Sequence, residues 1–307
     1  MRIVRGLESF PPDAPPSAVA LGVFDGVHLG HRVILGTAVA RARAAGLQAL
    51  ACTFDPHPME VLQPERAPRP IMPLDERVAL IGQTGIDAAV VVAFTRELAA
   101  IEPEAFVKDV LLGRLRAREI VVGYNHRFGR GARGDARLLE SLADRLGFLA
   151  HVVPPATTDD VAVSSTGIRA ALQRGDVAAA ARALGRPYAI AGVVTSGAGR
   201  GRALGFPTAN IAPDRPLLVE RGVYRGLVHL HGGEHAAVVN VGVRPTFGET
   251  TLTVEAHLLD FAGDLYGRQV RLDFLDRLRD EMRFPSVEAL KAQVARDIES
   301  ARAGPRR

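Results

Sequence analysis

Two histidines three residues apart, His28 and His31, close the run Gly22-Val23-Phe24-Asp25-Gly26-Val27-His28-Leu29-Gly30-His31. Imidazoles at this spacing can touch one phosphate chain. Before them, residues 18–21 read as a short buried strand ending near Phe24. After them, Val33, Ile34, Ala38, Val39 and Ala42 recur at helical spacing up to Gly46. The pair therefore stands where a strand turns into a helix, with His31 near the first turn. Unpaired N–H groups and the positive dipole end at such a place attract phosphate. Gly26 and Gly30 allow close backbone approach.

Three further segments suit the same chemistry. Thr53-Phe54-Asp55-Pro56-His57-Pro58 ends an apolar run, so His57 is expected at the same sheet edge as the histidine pair. Gly123-Tyr124-Asn125-His126-Arg127-Phe128-Gly129 ends another. Ser164-Ser165-Thr166-Gly167-Ile168-Arg169 opens a helix, offering hydroxyls, backbone N–H groups and a guanidinium to outer phosphates. Residues 129–134 formally match Gly-x-Gly-x-x-Gly, but that fingerprint needs its first glycine directly after a strand, and the strand is expected to end at Gly123. An arginine-rich mobile loop over a phosphate site is the preferred reading.

A second constellation lies farther along. Gly197-Ala198-Gly199-Arg200-Gly201-Arg202 offers a phosphate-cradling loop, and Thr208 and Asn210 in Pro207-Thr208-Ala209-Asn210 put two oxygens on one face. Mg2+ takes such hard oxygens together with substrate phosphates. Glu255 shares a strand face with His257, while Val254 and Ala256 take the other. A carboxylate between apolar neighbours on a barrel's open face is a candidate general base. His229, His231 and His235 flank a Gly232-Gly233 turn with no carboxylate or cysteine at ligand spacing, and are expected as solvated hairpin side chains.

The first motif resembles the His-x-Gly-His signature of the nucleotidyltransferase superfamily, and its longer form resembles the flavin-adenylylating branch. The later segments are similar to bacterial riboflavin kinase in the Gly-x3-Gly-Arg loop, Pro-Thr-Ala-Asn and the strand glutamate. Asp260-Phe261-x2-Asp264-Leu265-Tyr266-Gly267 and Arg279-x-Glu281-x2-Phe284 continue the match. In this order they resemble the bifunctional riboflavin kinase/FAD synthetase family across nearly the whole chain. The resemblance implies that the C-terminal part converts riboflavin and ATP to FMN and ADP. The N-terminal part would then join FMN and ATP into FAD and pyrophosphate.

Residue by residue, the resemblance implies ATP contacts at Gly22, Phe24, Asp25, His28 and His31, with Ser164, Thr166 and Arg169 holding the triphosphate opposite the histidines. His57 and Asn125 would take FMN. Kinase ATP would rest on Gly197, Gly201, Arg202, Thr208 and Asn210, with Mg2+ on Thr208 and Asn210. Glu255 would be the kinase base, and His28 and His31 the catalytic pair of adenylyl transfer. The family often has an acidic residue and an aromatic where this chain has Asn125 and His126.

The elements that must position these groups fall into two patterns. Apolar runs at 48–54, 87–94, 119–123 and 148–153 alternate with helical patterns near 75–83, 103–112 and 135–146, followed by short helices at 166–174 and 177–184. Such alternation argues a parallel sheet with crossover helices over 1–184, which the resemblance implies is an α/β nucleotidyltransferase domain with a Rossmann-like sheet. From Tyr188 onward, short β-branched runs at 190–195, 222–230, 236–241, 251–259 and 269–275 argue a small antiparallel β-barrel domain over 185–307. A C-terminal helix is expected from Val287 to about Ala301, capped by Ser286.

Composition narrows the function classes. The 307 residues are 47% apolar with mean hydropathy +0.09, which suits one large or two ordinary soluble domains. No apolar run approaches the ~18 residues of a membrane span, and no signal-peptide pattern opens the chain. Cys52 alone excludes an internal disulfide or thiolate cluster. All 38 Lys and Arg residues except Lys108 and Lys291 are arginine, and neither lysine follows a glycine loop, which excludes a P-loop. The arginines are scattered and aromatics are 5%, unlike a nucleic-acid stripe. We expect a cytoplasmic enzyme, monomeric or weakly homo-oligomeric, that meets ATP, riboflavin and FMN and neither nucleic acid nor membrane. Two other readings stay open at this point. One is a monofunctional FMN adenylyltransferase with a flavin-binding regulatory C-terminal domain. The other is a non-catalytic flavin- or nucleic-acid-binding regulator.

Overall fold

The structure is a computed structural model describing residues 1–196, 201, 204–246 and 249–304, with backbone alone at 244–246 and 249–251. It divides into two compact units, Met1–Ser165 and Thr166–Arg307. No described helix is long and apolar enough to cross a membrane.

The first unit is built on six parallel strands. These are β1 (Arg2–Arg5), β2 (Ser17–Leu21), β3 (Gln48–Asp55), β4 (Ala88–Ala93), β5 (Ala117–Gly123) and β6 (Leu149–Val153), in the order β1-β4-β3-β2-β5-β6. Parallel neighbours require crossovers, here α1 (Leu29–Ala45), α2 (Pro58–Leu62), α3 (Leu74–Gly82), α4 (Arg96–Ala99), α5 (Pro103–Ala105) and α6 (Ala136–Leu146). Helix α5 runs on as π-helical turns over Phe106–Arg114. A small hairpin, β7 (Thr157–Thr158) and β8 (Val161–Ala162), follows the sheet.

Side-chain size sorts the helices onto the two faces. Ala18, Ala20, Ala49 and Ala51 are small enough for α1 to approach closely, and Ile34, Leu35, Ala38 and Ala42 of α1 pack on them. Val19, Leu21, Leu50 and Cys52 point the other way, against Phe106, Leu111, Leu139 and Leu142. Glu119 is a buried carboxylate in this sheet. It accepts from Arg41 Nε at 2.7 Å and lies 2.7 Å from His151 Nε2, which ties α1 to β5 and β6. Burial raises its pKa, but the bonds from Arg41 and His151 outweigh that and hold it below the ordinary value. Strand β1 was not among the expected elements. Only Val4 of its four residues is buried, so it leaves no periodic signal.

Helix α7 (Ser165–Gln173) begins on the last residue of the first unit, and in the second unit its remainder and α8 (Val177–Leu184) precede a closed antiparallel barrel. Its strands are β9 (Tyr188–Thr195), β10 (Ala209–Pro213), β11 (Gly222–Leu230), β12 (Gly233–Thr246), β13 (Glu249–Leu258) and β14 (Gln269–Arg279), joined around the ring as β10-β13-β12-β11-β14-β9. Asp176 caps α8 by accepting from Ala179 N at 2.9 Å. That helix packs on β9 and β14, while Arg277 donates to Arg174 O at 3.3 Å at the end of α7. These contacts place both helices with the barrel, so the compact units divide some twenty residues before Gly185. Helix α9 (Val287–Ala303), capped by Ser286, sets Ile298 and Ala301 against Val223, Val238 and Leu259.

The barrel core centres on Tyr188, Tyr224 and Phe274, each almost wholly buried. Phe274 meets Tyr224 edge-on at 5.5 Å and Tyr188 at 6.0 Å. Phe274→Ala removes both contacts and leaves a cavity, so it is expected to destabilise the barrel by about 3–5 kcal/mol. The check is a shift in the denaturant midpoint of the barrel transition.

Candidate active sites

Strand β2 lies between β3 and β5, so the strand order reverses beside it, and ligands of open parallel sheets bind outside the carboxyl ends at such a point. The histidine motif follows β2, His57 follows β3 and Asn125 follows β5. All three stand at this one edge.

After β2 the chain turns through Phe24 at φ 55°, Gly26 at 89° and Val27 at 37°. Positive φ in a β-branched residue is a strained state that the surroundings must hold. Several bonds do so. Thr53 Oγ1 and Arg77 Nη1 both donate to Val23 O at 2.9 Å. The buried Asp25 carboxylate accepts from Ile71 N at 3.1 Å, and Ser165 Oγ donates to Asp25 O at 2.9 Å. Gly22 N donates to Cys52 O at 3.1 Å, and Phe24 is fully buried.

His28 is the N-cap of α1, its Nδ1 accepting from His31 N at 3.2 Å. The two rings stack, centroids 3.5 Å apart and 16° from parallel, and Phe24 meets His31 edge-on at 5.3 Å. A Cβ at Gly30 would come within 3.2 Å of the His28 ring, so glycine there makes room for the stack. Burial first, then His28 and Arg77, push the His31 pKa well below its ordinary value. His31 is therefore neutral near pH 7, and its Nδ1 is buried with no hydrogen-bond partner among the described residues.

His57 caps α2, accepting from Met59 N at 3.1 Å, while Glu60 accepts from His57 N at 3.3 Å. Asn125 is exposed beyond β5, and the half-buried His126 stacks beside Phe128. Ser164 is half-buried. Thr166 and Arg169 lie on α7, within the second unit, exposed and half-buried respectively.

The loop at 129–134 differs from its expected mobility. Phe128 and Gly134 form a β-bridge, Arg130 N donates to Ile101 O at 2.7 Å, and Arg130 and Arg133 both pair with Glu102. Its arginines are committed to a carboxylate about thirty residues earlier in the chain.

In the barrel, β13 pairs with β10 and β12 so that Glu255 lies directly opposite both Asn210 and Asn240. The three side chains form one row across three strands. Val254 and Ala256 are buried on the other face, leaving Glu255 partly exposed. Thr208 is half-buried two residues before Asn210. A Cβ at Gly201 would meet Phe206 O at 2.5 Å and Thr208 Oγ1 at 3.0 Å, so the chain makes a cradle there that only glycine leaves open. Gly197 and Arg202 lie outside the described residues. His229 departs from the solvated expectation, since it lies 3.0 Å from Glu234 and 3.1 Å from Asp273.

Comparison with known proteins decides which family holds these two sites. A family model for FAD synthetase matches residues 10–167, and one for riboflavin kinase matches residues 184–304. A bifunctional riboflavin kinase/FMN adenylyltransferase of Pseudomonas fluorescens is 38% identical over 99% of this chain and 97% of its own length. The chain belongs to the bifunctional riboflavin kinase/FMN adenylyltransferase family. The relative from Escherichia coli K12 is 37% identical over 98% of this chain and 97% of its own length, and that of Bacillus subtilis 35% over 93% and 91%. A crystal structure named for a macrolide-efflux protein from Streptococcus pneumoniae has the same fold. It is 30% identical, covers 99% of this chain and all of its own, and has a TM-score of 0.91. The enzyme is thus a riboflavin kinase in its C-terminal part and an FMN adenylyltransferase in its N-terminal part. The readings as a monofunctional adenylyltransferase or a non-catalytic regulator are set aside.

Sequence reasoning missed Arg77 altogether and gave Asn240 no role. Arg77 left one usable signal, a lone arginine within the apolar stripe Leu74, Val78, Ile81 of α3. Glu281 is placed by contact, since a Cβ at Gly242 would come within 2.6 Å of Glu281 Oε1 and 3.1 Å of Asn240 Nδ2.

Burial lowers the His126 pKa to about 4. An unfolded histidine titrates near ~6.5. The folded state therefore holds its full advantage above about pH 6.5 and loses it as pH falls towards about 4. His126→Phe is expected to flatten that part of the stability–pH curve. Denaturant melts at steps between pH 7 and pH 4 would show it.

Proposed function

We propose that each activity uses the residues assigned to one of the two motifs. In the first unit, an oxygen of the FMN phosphate attacks the α-phosphorus of ATP, the Pα–O bond to the β-phosphate breaks, and pyrophosphate leaves. That nucleophile is mostly ionised near neutral pH, its second pKa being about 6. No proton has to be removed, and catalysis reduces to positioning and charge stabilisation. The reading is supported by the stacked His28 and His31 at the head of α1, beside the sheet's reversal point. Gly22, Phe24 and Asp25 form the turn that carries them, His57 and Asn125 take FMN, and Ser164, Thr166 and Arg169 take the outer phosphates.

In the barrel, the riboflavin hydroxyl attacks the γ-phosphorus and ADP leaves. A hydroxyl needs a base, and Glu255 accepts its proton. The observation that carries this assignment is the register placing Glu255 opposite Asn210 and Asn240 at once. Thr208 and Asn210 offer hard oxygens beside the Gly201 cradle, a fit for Mg2+, which when bound with ATP offsets charge on the β- and γ-oxygens. Gly197, Gly201 and Arg202 complete the ATP contacts.

We place the functional boundary between residues 184 and 185, a division supported by the matched ranges 10–167 and 184–304. Small molecules are the proposed partners. Many arginines are spent on carboxylates of the same chain, as in Arg43–Asp87, Arg145–Glu104 and Arg279–Asp297, rather than forming a basic stripe for nucleic acid. We expect a monomer or weak homo-oligomer. We assign the enzyme to the cytoplasm, where its ATP is available.

Two variants dissect the assignment. His31→Ala is expected to lower FAD formation from supplied FMN by about 10²–10³ and leave FMN formation intact. Glu255→Gln is expected to lower FMN formation by about 10²–10⁴ and spare adenylylation. Chromatography of products from riboflavin or FMN with ATP and Mg2+ reads both. Equal loss of both products in either folded variant would refute separate sites.

A further inference from the structure

Arg77 is only 6% exposed and lies beneath the histidine motif. From α3 its Nη1 donates to Val23 O at 2.9 Å and its Nη2 to Phe54 O at 3.1 Å, with Asp55 Oδ1 3.7 Å from Nη2. Val23 immediately precedes the positive-φ turn that leads into His28, and Phe54 and Asp55 end β3 just before His57. One planar fork therefore joins the carboxyl ends of two neighbouring strands. A guanidinium can span two such carbonyls at fixed angles, and an ammonium cannot. Burial lowers the Arg77 pKa, and Asp25, Asp55 and Glu60 work against that.

We propose that Arg77 is a positioning residue for adenylyl transfer, holding the turn at 23–27 against the end of β3 so that His28 and His31 keep their stacked place at the head of α1. The proposal rests on the assignment of those histidines to adenylyl transfer. A fixed cation here has a second consequence. Arg77, from α3, and His28, beside the ring on α1's cap, are the charged or titratable groups acting on His31, while Asp25, Asp55 and Glu60 act on Arg77. Both act with burial to keep a proton off His31. Without the Arg77 charge, His31 should take up a proton at higher pH.

The test uses the full-length enzyme as Arg77→Lys, Arg77→Met and His31→Ala. It follows FAD formation from supplied FMN, FMN formation from riboflavin, and the NMR titration of the His31 imidazole. In Arg77→Met, kcat for FAD formation should fall about 10²-fold with a smaller change in KM, FMN formation should persist, and the His31 midpoint should rise. In Arg77→Lys the midpoint should stay near that of the parent, because the charge remains, while kcat still falls because the fork is lost. A parent-like kcat in Arg77→Lys overturns the proposal, and that holds even where Arg77→Met does not fold. So does a folded Arg77→Met whose His31 midpoint is unmoved. If His31→Ala itself retains full FAD formation, the histidine assignment fails. Loss in His31→Ala with none in the Arg77 variants overturns the Arg77 role alone.

Discussion

The proposed adenylyl-transfer site depends on a turn that the backbone does not favour by itself. Phe24 and Val27 sit at positive φ between a fully buried strand and the first turn of α1. Each such residue costs of order 1–3 kcal/mol and persists only when its surroundings over-determine it. Here Thr53 and Arg77 fix the carbonyl before the turn, Ile71 N fixes the Asp25 carboxylate, and Ser165 fixes the Asp25 carbonyl. These anchors come from β3, α3, the loop before α3 and the start of α7. The turn is therefore a consequence of the assembled sheet, and the placement of the two imidazoles is a tertiary property.

The two chemistries ask for different machinery, and the two folds supply it differently. As proposed, FMN phosphate arrives ionised, so the first site needs no base, only groups in fixed places that position the phosphates and offset their charge. A parallel sheet provides this by gathering loops from several strands at one edge. In the proposed kinase step riboflavin arrives as a hydroxyl, so the second site needs a base close to the oxygens proposed to hold phosphate and Mg2+. An antiparallel barrel provides that by register. Asn210, Glu255 and Asn240 come from three strands yet fall in one row, and a one-residue slip would turn all of β13 inside out.

Much of this was legible in the sequence because its signals are local. The strand-to-helix setting of His28 and His31, the alternation that marks the parallel sheet, the caps Asp176 and Ser286, and the alternating face of Glu255 are all read within a few residues. What escaped was set by distance or by brevity. Strand β1 buries one side chain and β10 buries only Ile211, so neither carries a periodic pattern. Arg77 reaches Val23 and Phe54, 54 and 23 residues away, and no local window contains such a contact. The arginines at 130 and 133 read as spare phosphate ligands until Glu102 is seen beside them. His57 illustrates an intermediate case. Its place after a strand was visible, but its use as a helix cap needs the Glu60 and Met59 geometry.

The same distinction governs which parts of the molecule can change without loss. Adenylyl transfer, as proposed, tolerates replacement at His126, which neither holds the turn nor is assigned a substrate contact. The conformation of residues 24–27 is held by carbonyls and a buried carboxylate, which constrain the backbone whatever side chain lies above them. In the barrel the constraint lies in the side chains themselves. As the proposed base, Glu255 has no substitute within its row, since Asn210 and Asn240 carry amides that cannot accept a proton near neutral pH. Variation should thus spare the turn of the first site and the row of the second.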